Sequence, residues 1–159
     1  MKEIPLTKGY KAIVDDEDFE RLSGWKWHAM NAARTRVYAA TSRIKNGVRV
    51  HMTMHRMLMA PLLAAGMEVD HINGDGLDNR RCNLRICTRA ENARNNRTPC
   101  TNRSGFKGVS FYKRRGVWRS HITVNGKFHH LGYFSTAENA HAAYCEAAKR
   151  LHGEFARVS

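Results

Sequence analysis

Asp70 and His71 stand side by side at the head of a run, Val69 to Asn96, that reads VDHINGDGLDNRRCNLRICTRAENARNN. Hydrolysing a phosphodiester needs an activated water, a cation against the developing charge and a fixed geometry. Asp70 can be the hard-oxygen ligand of a Mg²⁺-like ion. His71 titrates near neutral pH and can take the proton from water. Asn92 offers the same ion a second, neutral oxygen. Neighbours on a regular strand point to opposite faces, so the strand must end or bend at His71 if both side chains are to serve one phosphate.

The surrounding residues must position that pair. NGDGLDN is turn chemistry and reverses the chain into CNLRICT, a second short strand. RAENARNN then starts a helix, with Thr88 as its cap and Glu91 as the capping partner. A hairpin followed by a helix brings Asn92 back to face Asp70. Arg80, Arg81, Arg85, Arg94 and Arg97 surround the motif, either as a solvated rim or, given a phosphate at its centre, as clamps on that phosphate. His51 and His55 with Cys82 and Cys87 have the makings of a Cys₂His₂ zinc site. Against that, RICT reads as a buried strand in which Cys is a small hydrophobe, and His55 in MHRML as packing near the hairpin.

The residues DHINGD, DN, NLR and EN, with MHRMLMAP upstream, resemble the His-Asn-His (HNH) endonuclease family over roughly residues 48–97. The resemblance implies a ββα-metal unit, with Asp70 and Asn92 as metal ligands and His71 as general base. It implies that Asn83 pins the hairpin loop and steadies His71. The third position of the family name is Asn92 rather than His, a departure similar to the phage-borne homing branch, which uses a single ion. That argues against a zinc-dependent variant. The expected ion is Mg²⁺, with Mn²⁺ as a substitute, and a structural zinc is not expected.

Residues 100–159 carry a second pattern. VWRSHITV alternates, with Trp118, Ser120, Ile122 and Val124 on one face and Arg119, His121 and Thr123 on the other. GVSFYKRRG and GKFHHLGYF read as neighbouring strands, with Gly116 and Asn125-Gly126 at the turns. STAENAHAAYCEAAKRLHG reads as a helix opened by a Ser135–Glu138 capping box and stopped at Gly153. Its apolar stripe is Ala140, Ala143, Tyr144, Ala147 and Leu151. This block resembles the Apetala/ethylene-response-factor DNA-binding domain. That implies three antiparallel strands on one helix, with groove contacts from Lys107, Ser110, Tyr112, Arg114, Arg115, Arg119, His121, Thr123 and His130.

The expected class is therefore α+β: a ββα-metal nuclease domain over 1–97 with a strand-rich N-terminal extension, a linker over 98–104, and a small sheet-and-helix domain over 105–159. In the extension, Trp25 and Trp27 flank Lys26 with period two and share a face, and the acidic run from Asp15 to Asp18 reads as a solvated turn into a short helix.

Composition agrees with a nucleic-acid partner. The 159 residues hold 27 Lys and Arg against 14 Asp and Glu, a formal +13, and 42% are apolar, enough for real cores. Residues 1–99 hold 17 basic against 11 acidic side chains and residues 100–159 hold 10 against 3, so the C-terminal block is the denser in positive charge. No apolar run approaches the roughly 18 residues of a membrane helix; the longest, MLMAPLLAAGM, is broken by Pro61. Cysteines at 82, 87, 100 and 145 are scattered and MKEIPLTKGY is not a secretory leader, which implies reduced thiols in a cytoplasm, that of a bacterial host if the chain is phage-encoded. The expected function is metal-dependent cleavage of duplex DNA, of homing type. One such site attacks one strand, so a double-strand break needs a homodimer or two sequential events. The alternatives are a DNA-binding regulator with a vestigial nuclease motif and an RNA-binding module.

Overall fold

The computed structural model describes residues 1–33, 36–95 and 102–156. Arg97, and with it residues 98–101 of the expected linker, lie outside them. The chain divides into two compact units, Met1–Arg89 and Ala90–Ser159.

In the first unit, β1 (Lys2–Pro5) pairs antiparallel with β2 (Lys11–Val14), and α1 (Asp16–Ser23) follows. A three-stranded antiparallel sheet comes next, ordered β3 (His28–Ala33), β4 (Arg36–Lys45), β5 (Val48–Thr53). Asn46 and Gly47 turn β4 into β5, both at positive φ, the geometry a two-residue hairpin loop requires. After α2 (Met54–Met59), β6 (Glu68–His71) pairs antiparallel with β7 (Leu84–Cys87).

One core joins these pieces. Ile4, Ala12, Val14, Leu22 and Ala39 from the N-terminal part are buried together with Met54, Leu58, Val69 and Leu84. The N-terminal residues are therefore part of the body that carries the Asp70–His71 hairpin. Trp25 and Trp27 both pack on this core, as their shared face predicts, and Trp27 donates its indole N–H to the Leu22 carbonyl at 2.8 Å. The acidic run does lead into a helix, but Asp18 is not solvated: it is 4% exposed and bound by Arg21 and Arg81.

In the second unit, α3 (Arg89–Arg94) opens at the division between units, and β8 (Val109–Tyr112), β9 (Val117–Val124) and β10 (Lys127–Phe134) form an antiparallel sheet with β9 central. α4 (Ala137–His152) covers one face, where Ala140, Tyr144, Ala147 and Ala148 meet Val109 and Ile122. The alternation of β9 is as the sequence predicts: Ser120 and Ile122 are buried against the helix, and Trp118 packs there beside them. Small Ala side chains let the helix approach closely enough that a Cβ on Gly108 would stand 2.1 Å from the Tyr144 ring.

Two helix details differ from the sequence expectation. The cap of α4 is Thr136, not Ser135: Thr136 is extended and its hydroxyl accepts from the Asn139 N–H at 3.2 Å. The buried stripe ends on Ala148 and His152, while Leu151 is 39% exposed. Gly153 ends the helix at φ 54°, as expected.

Candidate active site and nucleic-acid interface

β6 ends at His71, which resolves the geometric difficulty of an adjacent pair. The chain then turns, with the Gly74 N–H bonded to the His71 carbonyl at 2.8 Å and the Ile72 N–H to the Asn83 carbonyl at 2.9 Å. Asp70 and His71 are both buried, 7% and 5% exposed. Directly across the ladder from Asp70 is Arg85, whose Nε and Nη2 donate to Asp70 Oδ2 at 3.0 and 2.8 Å. The charge-assisted pair keeps a buried carboxylate compensated.

The loop between the strands is fixed by its own amides. Asn83 accepts from the Asn73 N–H at 3.0 Å and donates to the Asp78 carbonyl at 2.8 Å, so it pins the loop. Asp78 takes a two-pronged contact from Arg80, 2.7 Å on each oxygen, which holds its carboxyl below the usual range. β2 clamps the same loop from outside: the Ile13 N–H bonds to Leu77 and the Ile13 carbonyl accepts from Asn79, each at 2.8 Å. Gly76 is needed here, since a Cβ would sit 2.4 Å from the Tyr38 ring and from the Val37 carbonyl.

The loop residue in contact with the imidazole is Asn79, with Oδ1 3.4 Å from His71 Nε2. Its own Nδ2 donates to the Leu77 carbonyl at 3.1 Å, which turns the oxygen toward the ring. That orientation favours the tautomer with its proton on Nε2 and leaves Nδ1 as the basic nitrogen. Burial lowers the His71 pKa, against the opposing pull of Asn79 and Asp70, so the imidazole is a neutral base at neutral pH. Two more rings complete the wall: His55 edge-on at 4.8 Å and Tyr38 at 5.7 Å between centroids. Asn79 and Tyr38 were not singled out by the sequence reading; the Asn of LDNRR was the available signal for the first. His55 packs by the hairpin, as expected, and burial pushes its pKa down to about 3.

Among the described residues, no three His, Cys, Asp or Glu side chains gather as a metal cluster. A lone carboxylate such as Asp70 suits a hard ion that keeps several of its waters, the habit of Mg²⁺. An ionised carboxylate has about four lone-pair sites, enough to serve a guanidinium and a cation together. Cys87 is a buried small hydrophobe, its thiol directed at the Glu68 carbonyl.

Among the described residues, Arg80, Arg81, Arg85 and Arg94 have protein partners. Arg80 binds Asp78, Arg85 binds Asp70, and Arg81 reaches back to α1, donating to both oxygens of Asp18 at 2.7 and 2.8 Å. Arg81 therefore ties the loop to the N-terminal helix. Asn92 and Arg94 lie on α3, in the second unit, where Arg94 donates to Asn125 at 3.2 Å and its carbonyl accepts from the Lys107 ammonium.

The sheet face of the second unit that points away from α4 presents Ser110, Tyr112, Arg119, His121, Thr123 and His130. Register places Ser110 opposite Arg119 and His121 opposite His130. Arg114 and Arg115 are exposed in the β8–β9 turn, and Arg115 lies over the Tyr133 ring at 5.5 Å. Sequence reasoning missed two members of this face. Phe128 is 57% exposed and stacked on His121 at 4.9 Å, and Tyr133 is 45% exposed beside His130. Burial lowers the His121 pKa, so it presents a neutral ring.

The HNH endonuclease family matches residues 48–94 and the AP2 domain family residues 104–154. Protein 3.8 of Escherichia phage T7 is 39% identical over 92 residues, 58% of this chain and 75% of that protein. An uncharacterized HNH endonuclease of Acanthamoeba polyphaga mimivirus is 26% identical over 149 residues, 94% of this chain and 74% of that one. An AP2-like ethylene-responsive transcription factor of Arabidopsis thaliana is 43% identical over 63 residues, 40% of this chain and 13% of that one. No solved structure matches. No helix among the described residues is long and apolar enough to cross a membrane.

Proposed function

We propose, from the premise that the chain belongs to the HNH endonuclease family and carries an AP2 DNA-binding domain, that it is a site-specific, homing-type nuclease acting on duplex DNA with Mg²⁺. The observation that carries the reading is the end of β6. A carboxylate and a neutral imidazole leave one strand terminus, buried, inside a loop held by Asn83, Asn79 and β2. A preorganised base costs little to position when the substrate arrives.

In this reading His71 takes the proton from the attacking water at Nδ1 while Asn79 holds Nε2–H. The water oxygen bonds to phosphorus, and the bond from phosphorus to the bridging sugar oxygen breaks. Asp70, with Asn92, would hold the divalent ion, and that ion, when bound, supplies positive charge against the phosphate and the departing oxygen. Asn83 keeps the loop in register and so acts through position. Arg80, Arg81 and Arg85 hold the carboxylates of Asp78, Asp18 and Asp70. The domain scheme remains 1–97, a linker over 98–104, and 105–159, with the sheet face from Ser110 to His130 placing the enzyme on DNA. A regulator with an inert motif is disfavoured, because the catalytic pair and its supporting amides are intact.

The test is supercoiled plasmid incubated with the full chain, with and without Mg²⁺. Nicked or linear product in Mg²⁺ alone is expected. His71→Ala should lose about 10²–10⁴ in rate and keep its affinity for duplex DNA. Wild-type plasmid left intact in Mg²⁺ and Mn²⁺, or cleavage by His71→Ala at the wild-type rate, would sink the assignment.

A further inference from the structure

Between Glu20 and Glu68 the sequence holds eight Lys and Arg and no acidic residue. At the centre of that stretch the sheet of the first unit becomes something else. β3 pairs with β4 only as far as Ala40, while β4 and β5 continue together to the pair Lys45–Val48. At the base the ribbon is anchored: Ala39, Ala40 and Thr41 are buried, and the Thr41 hydroxyl donates to the Lys26 carbonyl at 2.9 Å. Beyond Thr41 most of its described side chains are exposed, with Val50 half-buried. Ser42, Arg43, Ile44, Asn46, Gly47, Val48, Arg49 and His51 are all exposed, Ile44 at 71% and Val48 at 65%.

A two-stranded ribbon covered on neither face buries little and is marginal by itself. Its open edges and apolar tip are a liability unless a partner covers them. The partner's charge is set by the ribbon's own: among the described residues no acidic side chain pairs with Arg43 or Arg49. Register distributes the contacts. Arg43 lies opposite Val50 on one face, which Val48 shares, and Ile44 lies opposite Arg49 on the other, so each face carries one guanidinium beside at least one aliphatic side chain. The four residues past Thr41 extend about 13 Å at roughly 3.3 Å per residue. A major groove is about 12 Å wide and 8.5 Å deep and admits a two-stranded ribbon, whereas a minor groove about 6 Å wide does not.

We propose that the β4–β5 ribbon, Ser42–His51, is a second DNA-reading element that enters the major groove, with Arg43 and Arg49 on phosphates of the opposite walls and Ile44 and Val48 against thymine methyl groups at the floor. The inference rests on the DNA-endonuclease reading above. It concerns a different surface from the AP2 sheet and belongs to the unit that carries Asp70 and His71. The ribbon grows out of the strand that carries Tyr38, whose ring meets both His55 and His71. A contact at the tip therefore bears directly on where the catalytic hairpin sits along the duplex.

The experiment uses the full chain and a linear plasmid fragment containing a cut position mapped in Mg²⁺. Affinity is measured in EDTA across a salt series, and the cut pattern is then read in Mg²⁺. Arg43→Gln with Arg49→Gln should lower the log–log salt slope by about 1.8, or about 0.9 per lost phosphate contact, at an unchanged melting temperature. Ile44→Ala with Val48→Ala should keep the slope and lose the preference for the mapped position at least tenfold. The proposal is overturned if both double variants match the wild type in slope, affinity and cut pattern. It is equally overturned if the arginine pair governs binding to phosphatidylserine vesicles and leaves duplex binding unchanged. A wild-type chain that neither binds nor cuts the fragment would instead overturn the endonuclease reading itself.

Discussion

Arg85 faces Asp70 across the β6–β7 ladder, and two of its nitrogens donate to a single carboxylate oxygen, at 2.8 and 3.0 Å. Both side chains are nearly out of water, 8% and 11% exposed for Asp70 and Arg85. The ion ligand proposed for catalysis is thus already neutralised from one side by the protein.

Arg85→Ala should destabilise the metal-free chain by about 3 kcal/mol, since it leaves a buried carboxylate without its cation. A divalent ion binding only the folded state then returns part of that loss. The Mg²⁺-induced rise in melting temperature should be larger in Arg85→Ala than in the wild type, and absent once Asp70→Asn is added. A smaller or equal rise in Arg85→Ala would show that guanidinium and ion do not share Asp70.

Asn79 should act through the orientation of His71. Asn79→Ala removes the acceptor 3.4 Å from Nε2 and frees the choice of tautomer. Losing about 1.4 kcal/mol of transition-state stabilisation corresponds to a tenfold fall in rate. Single-turnover cleavage at saturating DNA should drop by about that factor or more, with duplex affinity unchanged. A variant that binds more weakly but cuts at the wild-type rate when saturated would place Asn79 in binding rather than in positioning the base.

His55 makes stability depend on pH. Its pKa is about 3 in the fold, set first by burial and then by repulsion from His71 and Arg56, and its Nδ1 is buried without a hydrogen-bond partner. Unfolded, it titrates near 6.5. The unfolded chain therefore takes up this proton first as pH falls. Stability is full above about 6.5 and falls through the window down to about 3, by about 2 kcal/mol at pH 5. His55→Phe should flatten that part of the curve in denaturant titrations at pH 7 and pH 5. An unchanged pH slope in His55→Phe would assign the acid sensitivity to other groups.

On the AP2 sheet, Arg114→Ala with Arg119→Ala should reduce duplex affinity and flatten the salt slope by about 1.8, as two phosphate contacts would. Arg119 already bonds to Ser110 at 3.3 Å, so Ser110→Ala alone should have a smaller effect. Phe128→Ala, with no charge to lose, should leave the slope intact and change which sequences are protected in a footprint. Equal protection patterns for wild type and Phe128→Ala would make that ring a packing partner of His121 only.

The parts of the molecule legible in the sequence are those fixed by near neighbours. The β6–β7 hairpin, its amide-rich turn, the alternation of β9 and the Gly153 stop all follow from periodicity and turn chemistry within a few residues. The cap of α4 shows the limit of that reading, since Ser135 and Thr136 offer equivalent hydroxyls and only the backbone path makes Thr136 the one that accepts from Asn139. What tertiary structure decided is which distant groups meet. Arg81 reads as a phosphate clamp beside a nuclease motif, yet α1, 63 residues away, supplies the carboxylate it binds. Tyr38, His55 and His71 come from a strand, a helix and a hairpin end, and no spacing rule joins them. The neutral state of His71 and the pairing of Asp70 with Arg85 depend on burial and on a partner strand's register. Those quantities exist only after the chain has closed on itself, because desolvation and side-chain pairing are properties of the assembled core rather than of any segment in it.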